Sequence, residues 1–476
     1  MTAENLTRLR AGQRAALWGQ GFAALCFLSA LVATSYLDRL TSVLLLLSTF
    51  LFGIVSRYSA RYLMGDPGQA RFTIWLSLTG AFVFALVVSQ NLLLFAFAWC
   101  GISLSLHQLL QFYRDRPGAL LAARKKFLIS RVGDAAMVAA LVLTYSELGT
   151  WDFEGMFAAA ERLRGAGLDR LPSSVSWICA LLVFAALLKS AQFPFHSWLP
   201  DTMETPTPVS ALMHAGIINA GGILIIRLSP LISLSDFALL MLTVVGGFTA
   251  VFASIVMLTQ ASVKRCLAFS TVAQMGFMML ECGLGAFHLA LLHLVAHSLY
   301  KAHAFLSTGS VVMAQAPVRR PIAVATVVGS VFAALGISLV TATAMGVDPL
   351  ERPVLSGIYV LALAQILWSL WAATERIGQV AIGLTAGVMF SVGYFALDRV
   401  AELVVTPLQR ELSWPVLAIP AVFFLVALAQ TQLPRLTRTS LGSKLYVHAR
   451  NGFYCNTLAN RMTAALWPVR VSQEGI

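Results

Sequence analysis

The sequence predicts an all-α fold, a polytopic transmembrane helix bundle of about 12–14 spans. Three observations predict it. The chain of 476 residues is 58% hydrophobic and only 11% charged, whereas soluble domains run near a quarter charged. Its mean hydropathy is +0.79 over that whole length, too high for one large soluble core. Apolar runs near the ~20 residues a span needs recur from end to end.

Leu40–Val55, Ile74–Val88, Ala135–Tyr145, Phe237–Leu258 and Ile358–Trp371 are examples of such runs. Basic residues fall between the runs, in Arg57–Arg61, Arg114–Lys126, Arg319–Arg320 and Arg435–Arg450. The net charge of +12 therefore reads as loop charge that orients spans. No interleaving of basic and aromatic residues suggests a nucleic-acid partner. The six cysteines form no C-x-x-C pair, so neither a disulfide framework nor a zinc site is expected. Met1–Arg14 lacks the pattern of a cleaved signal peptide, and the first span is expected to target the chain.

Polar stretches are short. Thr150–Pro172 carries Asp152, Glu154, Glu161, Arg162, Arg164, Asp169 and Arg170 and reads as a short surface helix. The division expected is a transmembrane domain over 1–439 and an amphipathic C-terminal tail over 440–476. In that tail Tyr454, Leu458, Met462 and Leu466 recur every four residues, with Arg450, Arg461 and Arg470 among them. That spacing gives a helix lying on the membrane or against a partner.

One segment breaks the pattern of plain spans. After the apolar run Trp177–Leu188 comes KSAQFPFHSWLPDTMETPTP, from Lys189 to Pro208, before apolar residues resume at Val209. Its closely spaced prolines stop a continuous helix. Irregular backbone at membrane depth survives only where protein or a wet cavity surrounds it. Discontinuous helices beside titratable groups are how ion-coupled transporters build their sites. The alternative is an ordinary loop with Lys189 reaching to the surface.

Lysine is scarce: Lys125, Lys126, Lys189, Lys264, Lys301 and Lys444 are all there are, and every other basic residue is arginine. Arginine stays charged, whereas a buried lysine can titrate near neutrality. Lys189 and Lys301 lie in or at the edge of apolar runs, and Lys264 in a short connection. A charge at mid-bilayer costs about 2.5 kcal/mol even on the lenient scale, so a lysine kept there implies a partner or a wet path. Of the eight histidines, six fall between residues 196 and 303. His293, His297 and Lys301 follow at four-residue steps, on one helix face that drifts by about 40° per step. Histidine can pass a proton between its nitrogens, so the three form a candidate relay. No third ligand makes a metal site of them. His288 and His303 face elsewhere and are expected to make structural hydrogen bonds. Asp134 follows Arg131 at a spacing that allows a local ion pair. Asp201 and Glu204 lie in the broken segment, where they could face Lys189.

Several motifs resemble the antiporter-like subunits of respiratory complex I and of the Mrp antiporters. They are RYSARYLMGDPGQARF from Arg57, NLLLFAFAWCG from Asn91, RVGD from Arg131, KSAQFPFHSWLPDTMETPTPVSALMHA from Lys189, VKRCLAFSTVAQMGFM from Val263 and HLVAHSLYKAHAFLSTGSV from His293. The match runs in order over roughly 40–315. The resemblance implies inverted repeats of five helices, each with a broken helix. It places the ion pathway on Asp134, Lys189, His214, His293, His297 and Lys301, with Lys264 in the matched Lys-Arg motif. There are three departures. Trp99-Cys100-Gly101 stands where the family has Trp-Glu-Gly, so the glutamate that pairs with the lysine at position 189 is missing. No lysine follows Lys301 until Lys444, and the length leaves no room for a long lateral helix.

The tail motif LYVHARNGFY from Leu445, with the overall length, resembles the DabB membrane subunits of bacterial inorganic-carbon accumulation complexes. That implies a multi-pass protein of the bacterial inner membrane, paired with a DabA-type, carbonic-anhydrase-like zinc protein. Flow of H+ or Na+ through the membrane subunit would drive hydration of CO2 to bicarbonate in that partner. The chain itself is then no enzyme and holds no cofactor or metal, the zinc belonging to the partner. The alternatives are a cation/proton antiporter or complex I-like subunit, and a non-conducting membrane anchor that docks a partner by its tail.

Overall fold

The computed structural model describes residues 3–167, 171–311, 322–348, 350–371, 377–408 and 418–468. Asp169, Arg170, Arg319, Arg320 and Arg470, named above, lie outside the described residues, as does the end of the tail beyond 468. Twelve described helices are long and apolar enough to cross a membrane, within the range the sequence predicts. Two more helices belong with them. Ser173–Lys189 is apolar but stops early, and Phe287–Leu306 carries the histidines and Lys301.

Consecutive spans are joined by short turns, so their ends alternate between two faces of the bundle. One face gathers the turns after Tyr62, Leu110 and Leu258 and the C-terminal helices Ser440–Arg450 and Cys455–Leu466. The other gathers the turns after Ala33, Val88, Arg227, Gly283, Ala344 and Glu402. Long-range bonds tie each face. On the second, Arg39 donates to the Leu403 carbonyl, and the Leu408 amide to Gly285. On the first, Gln260 donates to the Arg450 carbonyl and Arg124 to that of Trp467. The expected surface helix is present as Phe153–Gly165. Asp152 caps it by accepting from the Gly155 amide, and it lies along the second face.

Without water to drive association, spans pack by close backbone approach at small residues. The Asp236–Leu258 and Val263–Gly283 helices do this at Gly246 and Gly276. A Cβ on Gly276 would lie 2.6 Å from the Ala250 amide nitrogen and 2.8 Å from the Gly246 carbonyl. Backbone cannot yield as a side-chain tip can. Gly276→Val is therefore expected to separate these helices at a cost of about 1–3 kcal/mol, read as a lower thermal midpoint in detergent. An unchanged midpoint would show that the crossing is looser than this geometry.

The predicted helix break is real. The Ser173–Lys189 helix ends at Lys189, and Ala191 follows with a left-handed φ of 51°. The Phe193–Pro194 peptide is cis. Short turns over Phe195–Glu204 then cross to the first face. The return helix is itself interrupted, as Thr207–Ala215, Ile217–Asn219 and Ala220–Arg227. The freed backbone is satisfied inside the protein, as membrane depth requires. Ser190 donates to the Ile218 carbonyl, Gln192 to that of Ser190, and the Phe193 amide to Thr249 Oγ1. In the second half, Val324–Ala344, Pro353–Trp371, Ile377–Glu402 and Ile419–Leu436 run without such a break over their described residues.

Candidate functional site

Two polar clusters lie inside the bundle, one on each side of the interrupted return helix. Helix termination sets the first. Because the helix stops at Lys189, its side chain turns inward, onto the Leu92–Leu110 helix. Its Nζ donates to the Trp99 carbonyl at 2.9 Å and to Ser103 Oγ at 2.8 Å, and sits 4.3 Å from the centre of the Trp99 ring. The alternative of a lysine reaching to the surface is thus set aside, since Lys189 is buried. Its electrostatic neighbours are Asp134, Cys100 and Arg131, and Cys100 is itself an electrostatic neighbour of Asp134. Asp134 is also ion-paired to Arg131 at 2.5 Å, as the three-residue spacing suggested.

Two lysines that read as loop charge prove to be buried inside the Pro117–Leu148 helix. Lys126 donates to the Ser103 carbonyl at 2.9 Å. Ser103 thus bridges Lys126 and Lys189, through its carbonyl and its hydroxyl. The other, Lys125, corrects a second expectation. Asp201 does not face Lys189; it accepts from Lys125 Nζ at 2.5 Å. Asn456 and Asn460 of the C-terminal helix complete the shell of Lys125 at 2.5 and 2.7 Å, and Asn456 also donates to Asp201. Glu204 does not reach Lys189 either: its side chain lies against Gly118, and its carbonyl accepts from Arg116. The scarcity of lysine was the signal that could have marked Lys125 and Lys126.

The second cluster is built on Phe287–Leu306 as the spacing predicts. His297 and Lys301 are buried, and the His293 and His297 rings lie 6.1 Å apart. Lys301 donates to the Leu267 carbonyl at 3.1 Å. His214 stacks on Phe305 at 4.2 Å and shares a hydrogen bond with Thr271 Oγ1 at 3.1 Å. The ladder does not close through direct bonds. His297 Nε2 and His214 Nε2 are buried without a protein partner, which leaves them free for bridging water. Asn219, in the interruption of the return helix, donates to Ser298 on the ladder helix at 2.7 Å and so pins the two elements together. At its outer end, His293 bonds Glu281 at 2.9 Å and Gln274 at 2.7 Å. Glu281 was not singled out from the sequence, for it sits in an otherwise apolar run.

Lys264 lies in the first turn of the Val263–Gly283 helix rather than in a connection, and donates to Thr207 Oγ1 at 3.1 Å. His288 makes the structural contacts expected, to Arg352 and Asp398. His303 is exposed on the outside of its helix.

Arranged in this way, the groups can hold and exchange cations, with protons as the natural cargo of imidazole and amine. Comparison with known proteins agrees with that chemistry. Residues 89–389 match the family described as NADH:quinone oxidoreductase/Mrp antiporter, TM. A protein of Halothiobacillus neapolitanus called "Probable inorganic carbon transporter subunit DabB2" is 41% identical over 461 residues, covering 94% of this chain and 83% of that protein. A "Probable inorganic carbon transporter subunit DabB" of Hydrogenovibrio crunogenus is 37% identical, covering 91% of this chain and 83% of its own length. Among solved structures, a chain of the Mrp complex from Dietzia sp. superposes with a TM-score of 0.66 at 19% identity. The match covers 99% of this chain and 60% of that one, and so shares the fold. The chain is a multi-pass membrane protein that belongs to the NADH:quinone oxidoreductase/Mrp antiporter family, in its DabB branch.

Proposed function

We propose that the chain is the ion-conducting subunit of an inorganic-carbon pump in the bacterial inner membrane, passing H+ or Na+ toward a carbonic-anhydrase-like zinc partner of the DabA type. The observation that carries this reading is the placement of Lys189, Lys301 and the histidines. The two lysines lie inside the bundle, held by neutral carbonyls and a hydroxyl rather than locked in ion pairs. A purely structural lysine at this depth would be paired to a carboxylate, as Lys125 is to Asp201. Relatives named as carbon-transporter subunits supply the substrate class.

Orientation follows from charge. Arg57, Arg61, Arg71, Arg114, Arg116, Arg265, Arg435, Arg438 and Lys444 lie at one face. The other carries fewer basic residues, Arg39, Arg162, Arg164, Arg352 and Arg399 among those described, set among the acidic Asp38, Glu147, Asp152, Glu154, Glu161, Asp236, Asp348 and Glu351. Lysine and arginine mark the cytoplasmic side. The basic face, with the two C-terminal helices, is therefore assigned to the cytoplasm, where a soluble partner would meet it.

Lys189→Ala and Lys301→Ala are each expected to lower carbon-dependent growth or bicarbonate accumulation at least tenfold, while the partner still co-purifies. Full uptake in both variants would favour the anchor reading. A co-purifying subunit that oxidises NADH or binds quinone would favour the respiratory one.

A further inference from the structure

A third polar cluster, with His288 and Asp398 buried in it, lies at the acidic face, outside the residues assigned to the pathway. His288 lies in the first turn of the ladder helix, Arg352 immediately precedes Pro353–Trp371, and Asp398 and Glu402 lie in the last turns of Ile377–Glu402. Arg352 Nη1 lies 2.7 Å from His288 Nε2, and Nη2 donates to Glu402 Oε1 at 2.8 Å. Arg399 bonds the other Glu402 oxygen at 3.2 Å. Both Glu402 oxygens are therefore occupied. Asp398 differs. Its Oδ1 lies 3.2 Å from the same His288 Nε2, and its Oδ2 only 3.7 Å from Arg352.

These contacts conflict unless a proton is shared. A guanidinium can only donate, so Nε2 must accept from Arg352 and the ring proton must sit on Nδ1. His288 Nδ1 is buried without a partner, as is Asp398 Oδ1. Nε2 has a single lone pair, so it accepts either from Arg352 or from a protonated Asp398 Oδ1, and an ionised Oδ1 at 3.2 Å would be repelled by it. Passing the Asp398 proton to Nε2, with Nδ1 keeping its own, gives an imidazolium that donates to an ionised Oδ1 and can no longer accept from Arg352. One proton fits between Oδ1 and Nε2, and its two positions exchange the Arg352 contact. A metal ion fits less well, because Arg352 occupies the space among His288, Asp398 and Glu402.

The cluster is open on one side and linked on the other. Asp398, Glu402, Arg352, Arg399, Asp348, Glu351 and Tyr394 border a cavity of about 60 Å³, room for one or two waters. Tyr394 lies within electrostatic reach of both Asp398 and Glu281, and Glu281 bonds His293 at the end of the ladder. The remaining groups of the ladder helix, His297 and Lys301, lie beyond His293.

We propose that Asp398 and His288 form a proton-binding port on the acidic face, and that Glu281, bonded to His293, passes protons taken up at that port on to the ladder. The port stands in the half of the chain that lacks the lysine-bearing broken helix. The inference rests on the conduction reading for its purpose, but the proton site stands by itself.

The test is pH-difference infrared spectroscopy on the full chain with its co-purifying subunits in membranes, paired with bicarbonate accumulation. The expected result is a carboxylic-acid C=O band that titrates in the parent and in Lys301→Ala and is lost in Asp398→Asn. Accumulation should fall at least tenfold in Asp398→Asn and in Glu281→Gln, with the band retained in Glu281→Gln. A band absent from the parent, or unchanged in Asp398→Asn, overturns the port. So does full accumulation in Asp398→Asn and Glu281→Gln when Lys301→Ala has lost it. Full accumulation in Lys189→Ala and Lys301→Ala with the band intact instead sinks the conduction reading and leaves the proton site standing.

Discussion

Replacing Lys125 by methionine is expected to free the C-terminal helices from the bundle. Lys125 is buried, and its three acceptors come from two distant parts of the chain: Asp201 in the broken segment, Asn456 and Asn460 in the tail. Removing the cation leaves Asp201 beside two amides in a site that excludes most water. Breaking a buried pair from one side costs about 3–5 kcal/mol, because a charge is left uncompensated. The other ties of the tail are modest. They are the Phe252–Phe453 and Phe127–Trp467 ring contacts and the Gln260 and Arg124 bonds to tail carbonyls. Limited proteolysis of inside-out vesicles should therefore cut Lys125→Met after residue 436 at least tenfold faster than the parent. Asp201→Asn in the same chain should recover much of the protection, since no orphan charge remains. Equal protection of parent and Lys125→Met would show that the ring contacts alone hold the tail.

This anchorage changes the reading of the tail. A four-residue apolar repeat with interspersed arginines says that one face is apolar. It does not say which residues hold the helix in place. The asparagines at 456 and 460 do that, on a different stripe from Leu458, Met462 and Leu466, which remain exposed. Since Asp201 lies in the segment that follows Lys189, the tail and the helix break share one ion pair. A partner that bears on the tail would act directly on the broken segment.

Periodicity and composition made the spans legible because each span needs its own apolar residues. The helix break was legible because proline acts locally. Lys189 and the His293–His297–Lys301 face were legible because a charge in an apolar run is conspicuous. Lys125 and Lys126 were not, because they adjoin Arg124 and sit near the end of a polar loop. Burial there is decided by the Leu92–Leu110 helix and the tail, both remote in sequence. The pairing of Asp201 likewise depends on residues 76 positions earlier and 255 later. The port at Asp398 is assembled from three helices in the second half, and no local pattern announces such a meeting.

The missing family glutamate gives the second large prediction. Cys100 occupies its place on the Leu92–Leu110 helix, and a thiol cannot serve as the counter-charge of Lys189. The structure supplies a substitute one helix away. Asp134 is an electrostatic neighbour of Cys100 and the first of Lys189. It is shared with Arg131 at 2.5 Å, which leaves Lys189 held chiefly by the Trp99 carbonyl and Ser103. Such a lysine can gain or lose a proton at lower cost than one locked to its own carboxylate, because a buried charge pair must be broken at several kcal/mol. Asp134→Asn is accordingly expected to lower bicarbonate accumulation at least tenfold without loss of assembly, since Arg131 and Lys189 then face one another with no anion between them. Cys100→Glu on the Asp134→Asn background restores a carboxylate on the same side of Lys189 and should recover a substantial part of the loss. Cys100→Ser on that background should recover none, which separates the effect of charge from that of a better hydrogen-bonding group. Equal recovery with serine and glutamate would mean that Asp134 acts through packing or hydration. Undiminished accumulation in Asp134→Asn would mean that Lys189 needs no anion at all, and that its carbonyl and hydroxyl ligands suffice to hold the charge.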